Sequence, residues 1–103
     1  MSQKRLAPVH PGKVLLDEFL RPVDLSQKRL GLNIGVHRRH INEIVPGKRR
    51  VTAETALRLA RRLGTSPQSW LGPQADYDRD VAADELGERL EREVRARAKA
   101  SSW

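Results

Sequence analysis

Residues 25–50 read LSQKRLGLNIGVHRRHINEIVPGKRR, and the fold turns on how this stretch divides into helices. Ser26 can offer its hydroxyl to the free backbone N–H groups of a first short helix, in which Leu30 and Ile34 face inward. Gly35 supplies the left-handed backbone that a sharp helix-to-helix turn requires. A second helix runs from about His37 to Val45, with Val36, Ile41, Ile44 and Val45 on its buried side, until Pro46-Gly47 stops it. Two short helices and a tight turn over one apolar scaffold make a helix-turn-helix at about residues 26–45.

The flanking sequence extends the helical pattern in both directions. Residues 1–9 have little apolar periodicity and read as an N-terminal arm. His10-Pro11-Gly12 opens a helix, because proline suits the first turn, where its missing N–H is not needed. Leu15, Leu16, Phe19 and Leu20 form its apolar stripe, and Pro22 ends it. Downstream, Thr52 can cap a helix with Ala53, Ala56, Leu57, Ala60 and Leu63 inward before Gly64. Ser66-Pro67 starts another, leading into Trp70 and Leu71. Gly72-Pro73 is expected to interrupt it, since proline clashes with the preceding turn and removes a donor. From Gln74 to about Ala98 the pattern is helical again. No period-2 alternation or Asn-Gly hairpin signal is found, so the chain reads as all-α.

Composition narrows the function. A chain of 103 residues, 38% hydrophobic, forms one domain with a small core. It holds 20 Lys and Arg against 13 Asp and Glu, a net charge of +7. The excess is concentrated: residues 1–50 carry 11 basic and 4 acidic side chains, whereas residues 73–103 carry 6 and 8. Seven cations fall between residues 24 and 50: Lys28, Arg29, Arg38, Arg39, Lys48, Arg49 and Arg50. Such a surface favours a polyanion, nucleic acid first and an anionic membrane surface second. With no cysteine, disulfides, thiolate zinc sites and cysteine catalysis are excluded. No apolar run is long enough to span a membrane or form a signal-peptide core, so the expected location is the cytoplasm.

The chemistry lies on the outer face of the second helix. With Val36, Ile41 and Ile44 inward, His37, Arg38, Arg39, Asn42 and Glu43 point outward and His40 sits at the flank. The turn holds this helix at a steep angle, so its N-terminal turn can enter a major groove. Arginine pairs bidentately with guanine and asparagine with adenine, which suits Arg38, Arg39 and Asn42 to base reading. Gln27, at the start of the preceding helix, and Lys48, Arg49 and Arg50, after the reading helix, suit phosphate contact.

The pieces HPGKVLLDEFL, LSQKRL, INEIVPGKR, VTAETALRLARRLGTSPQSWL and QADYDRDVA together resemble the HigA-type antitoxins of the Cro/C1 (XRE) helix-turn-helix class. The resemblance covers His10 to about Ala82. It implies a five-helix Cro/C1-like (lambda-repressor-like) domain at residues 10–72, followed by a C-terminal helical extension at 73–103. It further implies a homodimer on a palindromic operator in double-stranded DNA, and a HigB-type toxin partner, a small RelE-like ribonuclease. Three residues depart from the pattern: Gly31 where alanine packs, which loosens the contact between the two helices; Pro46 where a polar residue contacts phosphate; and Pro73 where a helix former stands.

Other signals are set aside. His37 and His40 lack a third metal ligand on a matching face. Asp76, Asp78 and Asp80 lack the glycine and terminal glutamate of a calcium loop. No nucleophile–base or paired-carboxylate arrangement is found, so neither catalysis nor a cofactor is expected. Trp70 and Tyr77, seven apart on one helical face, read as core or dimer packing. In the tail, Leu86, Leu90 and Val94 form a thin stripe. Four Glu→Arg pairs at i, i+4 (Glu85–Arg89, Glu88–Arg92, Glu91–Arg95 and Glu93–Arg97), worth about 0.2–0.5 kcal/mol each, are expected to carry a helix through Gly87. Such a polar helix packs on a partner or projects into solvent. Two other readings stay open: a stand-alone transcriptional regulator without a toxin, and a protein-interaction module whose basic surface meets an acidic protein.

Overall fold

His10 opens the helical part of the chain: its Nδ1 accepts the backbone N–H of Gly12 at 3.0 Å, and Pro11 takes the first helical position. The computed structural model describes residues 7–97, and among these every regular element is helical. Helix α1 (Pro11–Val14) widens into a π-helical turn at Leu15–Leu20 and tightens into a 3-10 turn at Arg21–Val23. The wide turn brings residues five apart onto one face, and Leu15 and Leu20 are both fully buried. Of the expected arm, Ala7–Val9 is non-helical, and residues 1–6 lie outside the described range.

Helices α2 (Gln27–Ile34) and α3 (Arg38–Ile44) form the helix-turn-helix. Ser26 caps α2 by accepting the N–H of Arg29 at 3.0 Å, and Gly35, at φ +79°, turns the chain. His37 is the cap of α3 and not its first residue; its Nδ1 accepts the N–H of Arg39 at 3.0 Å. Leu30, Ile34, Ile41 and Ile44 are buried and Val36 and Val45 partly so, which fixes the phase of both helices. The expectation that Gly31 loosens the pair is corrected. Gly31 is buried so close to the turn and the start of α3 that an added Cβ would stand 2.8 Å from the carbonyl oxygen of Val36 and 3.3 Å from the Cα of Arg38, so the missing side chain tightens the contact.

Helix α4 (Ala53–Leu63) is capped by Thr52 as expected, but its buried face is rotated. Ala53 and Leu57 are exposed, Leu57 at 59%, whereas Thr55 and Leu59 join Ala56 and Ala60 in the core. Thr55 is polar, so apolar periodicity does not mark it as a core residue. Its hydroxyl is satisfied in place by Thr52 Oγ1 and His40 Nε2, each at 3.3 Å, so its burial leaves no polar group unpaired.

Helix α5 (Gln68–Leu86) runs through Pro73 without a break, contrary to the expected interruption. Gly72 before it has no Cβ to clash with the proline ring, and the loss is confined to one backbone hydrogen bond. Buried Trp70 and Gln74 on either side hold the segment. Trp70 lies 5.3 Å from Phe19, centroid to centroid, and donates its indole N–H to Thr65 at 2.7 Å. The expected boundary between residues 72 and 73 therefore falls inside one helix.

The tail breaks where a continuous helix was expected. Gly87 adopts φ +52° and ψ −131°, a conformation open to glycine, and a short α6 (Arg89–Glu93) follows. Glu88 pairs with Arg92 at 3.5 Å and Arg89 with Glu93 at 3.2 Å. Exposed pairs of this kind, worth a few tenths of a kcal/mol, do not outweigh glycine's cost of about 1 kcal/mol in a helix. Residues 95–97 are not helical, and residues 98–103 lie outside the described range.

Candidate nucleic-acid interface

Burial of Ile41 and Ile44 turns the opposite face of α3 outward, leaving Arg38, Arg39 and Asn42 exposed. The side chains of Arg38 and Arg39 have no partner among the described residues. Asn42 does have one: its Nδ2 donates to Oε1 of Gln27 at 2.6 Å. Gln27 is the first residue of α2, so this bond ties the start of α2 to the outward face of α3.

Two shallow clefts flank the beginning of α3. One is lined by His37, Arg39, His40 and Arg49, the other by Lys28, Leu32, Val36, His37 and Arg38. A projecting helix end with cations in a depression on each side matches a groove with a phosphate ridge on each wall. His40 sits at the flank, half-buried. Desolvation lowers its pKa, and the nearby Arg49 charge adds to the effect.

The segment after α3 is more ordered than its charge suggests. The Glu43 carbonyl oxygen accepts the N–H groups of both Lys48 and Arg49, at 2.9 and 3.1 Å. The Glu43 carboxylate receives Nε and Nη2 of Arg49, both at 2.8 Å. Glu43 thus binds Arg49 through both its backbone and its side chain. Lys48 is exposed, while Arg50 is paired with the Asp78 carboxylate on α5. That pairing, and the hydrogen bond under it from Val51 N–H to Gln74 Oε1 at 2.8 Å, had no local signal in the sequence. Arg58 was missed too: it donates to the carbonyl oxygen of Ile34 at 2.7 Å, closing the C-terminal end of α2. Among the described residues no group of three or more His, Asp and Glu is arranged to hold a metal ion.

The HTH_3 helix-turn-helix family model matches residues 16–70. The chain belongs to this HTH_3 family. Virulence-associated protein I of Dichelobacter nodosus is 42% identical over 81 residues, covering 79% of this chain and 75% of that protein. Antitoxin HigA-1 of Vibrio cholerae is 36% identical over 78 residues, covering 76% and 73%. Among solved structures, the Pseudomonas aeruginosa antitoxin HigA with higBA promoter is similar at a TM-score of 0.85 and 35% identity, covering 88% of this chain and 99% of that one. The HTH_3 match ends beside Trp70, so the distal part of α5 and α6 lies outside it.

Proposed function

We propose that this HTH_3 protein is a sequence-specific transcriptional repressor and the antitoxin of a type II toxin–antitoxin pair. It binds a palindromic operator as a homodimer and neutralises a RelE-like toxin of the HigB type in the cytoplasm. The observation that carries the DNA-binding part is the outward face of α3, where Arg38, Arg39 and Asn42 project between cationic depressions. The antitoxin part is supported by the relatives whose names carry that role. Gln27, His37, Arg38, Arg39, His40, Asn42, Glu43, Lys48, Arg49 and Arg50 make up the proposed surface, with Glu43 acting through Arg49. No helix among the described residues is long and apolar enough to cross a membrane.

One reading helix covers a few base pairs, so the operator is an inverted repeat with half-sites about 34–36 Å apart. Footprinting on the chain's own promoter tests this. A protected region confined to one asymmetric half-site at saturating protein would overturn the dimer. Co-expression with a small RelE-like reading frame beside the gene tests neutralisation; lack of such a frame leaves a stand-alone regulator.

The tail has an intermolecular role in this reading. Leu90 and Val94 are exposed, at 48% and 59%, on a segment beyond the buried core. Deleting residues 84–103 leaves a cooperatively unfolding helical domain and impairs dimerisation or toxin neutralisation. Unchanged activity in both assays would remove that role.

A further inference from the structure

The hydrogen bonds beneath Arg50 form a relay that crosses from the DNA-facing segment to α5. The buried N–H of Val51 donates to Oε1 of Gln74, which is itself 2% exposed. Gln74 Nε2 donates to Oδ1 of Asp78 at 3.0 Å, and the other carboxylate oxygen receives Nη2 of Arg50. The backbone of residue 51 and the side chain of residue 50 are therefore fastened to a single turn of α5. The N-terminal side of α5 is held in turn by Trp70 in the core, and Tyr77 meets the His10 ring edge-on at 4.9 Å. Arg50 keeps much of its side chain in solvent, so guanidinium N–H groups remain to meet a phosphate.

We propose that Asp78, from outside the helix-turn-helix, is a positioning residue that orients the Arg50 guanidinium toward DNA, with Gln74 setting the register of that pair against the backbone. The inference rests on the DNA-binding reading above. Two effects of Asp78 oppose each other. As a fixed acceptor it removes rotamer freedom that Arg50 would otherwise lose on binding. As an anion near the phosphates it weakens the general attraction. The geometry favours the first at the operator, because the carboxylate is held by Gln74 and by Arg50 together. Away from the operator, where contacts are not in register, the second dominates.

The test is a titration of the full chain against two duplexes of equal length, its own promoter and a random sequence, at several salt concentrations. Asp78→Ala is expected to weaken promoter binding roughly three- to tenfold while random-duplex binding stays level or tightens. Arg50→Lys keeps the charge but not the planar fork, and is expected to show the same promoter loss. In the double variant Arg50→Ala/Asp78→Ala the promoter loss equals that of Arg50→Ala alone. Promoter binding by Asp78→Ala that is unchanged or tighter, or losses that add in the double variant, would overturn the inference. If Asp78→Ala lowers both affinities equally, together with the melting temperature, the role is structural and the inference is again overturned. A wild-type chain that shifts neither duplex overturns the DNA-binding reading itself, and this inference with it.

Discussion

Asn42 in the middle of α3 donates its side-chain amide to Gln27 at the start of α2, across 15 residues of sequence and 2.6 Å of space. The bond consumes one Asn42 donor and one Gln27 acceptor. It leaves the Asn42 oxygen and the Gln27 amide nitrogen with hydrogen-bonding capacity to spare. Because the two residues act as a unit, Gln27→Ala and Asn42→Ala are expected to be non-additive on promoter binding. A coupling of about 0.5–3 kcal/mol is expected from a double-mutant cycle. Additive losses would mean that each side chain meets the DNA independently.

Reading and gripping should separate by mutation. Arg38→Ala or Arg39→Ala is expected to lose about 1–3 kcal/mol on the promoter and to relax one base position. Lys48→Ala should weaken all sequences alike and reduce the salt slope by about one phosphate's worth. Binding of a panel of single-base variants at two salt concentrations distinguishes these patterns. If Arg38→Ala weakens random DNA as much as promoter, α3 is not the reading helix.

His10 makes stability depend on pH. Burial lowers its pKa below the ordinary value of 6.5; the Asp78 charge opposes that and Arg50 adds to it. Its Nδ1 must stay unprotonated to accept the Gly12 N–H at the start of α1. The unfolded chain therefore binds a proton more readily than the folded one. The stabilisation is fully present above about pH 6.5 and is lost as pH falls through that value toward the folded pKa. His10→Asn keeps a capping acceptor without the titration. Melting temperatures at pH 7.5 and 5.0 should drop more for the wild type than for His10→Asn. Equal drops would assign the dependence to other groups, such as His40, which burial also shifts downward.

Gly12 brings α1 against the end of α3. A Cβ added there would lie 1.9 Å from the carbonyl oxygen of Ile44, the last residue of α3. A backbone carbonyl cannot rotate out of the way as a side chain can. Gly12→Ala is expected to cost at least about 1–3 kcal/mol, the usual penalty for overpacking. Because the displaced element is α3, promoter binding should fall as well. Chemical denaturation checks the first effect, and an unchanged midpoint would show that the two helices can separate without cost.

The caps and turns of this protein were legible in its sequence because they depend on chemistry within three or four residues. Ser26, Gly35, Thr52 and the His10-Pro11 start each satisfy or terminate a helix end locally. The outward set on α3 was legible for a related reason: burying Ile41 and Ile44 fixes the helix phase, and the remaining positions follow from 3.6-residue geometry. Tertiary structure alone decided which polar residues enter the core and which cations are already engaged. Gln74 is buried because the Val51 N–H, 23 residues away, needs an acceptor, and Thr55 because His40 and Thr52 satisfy its hydroxyl. Arg49 and Arg50 are adjacent and chemically identical, yet one binds Glu43 on α3 and the other Asp78 on α5. Periodicity cannot separate them, because it records which face a residue occupies and not what the rest of the chain brings to that face. The passage of α5 through Pro73 has the same origin. Packing of Trp70 and Gln74 on either side outweighs one lost backbone hydrogen bond, and that packing exists only once the helices have assembled.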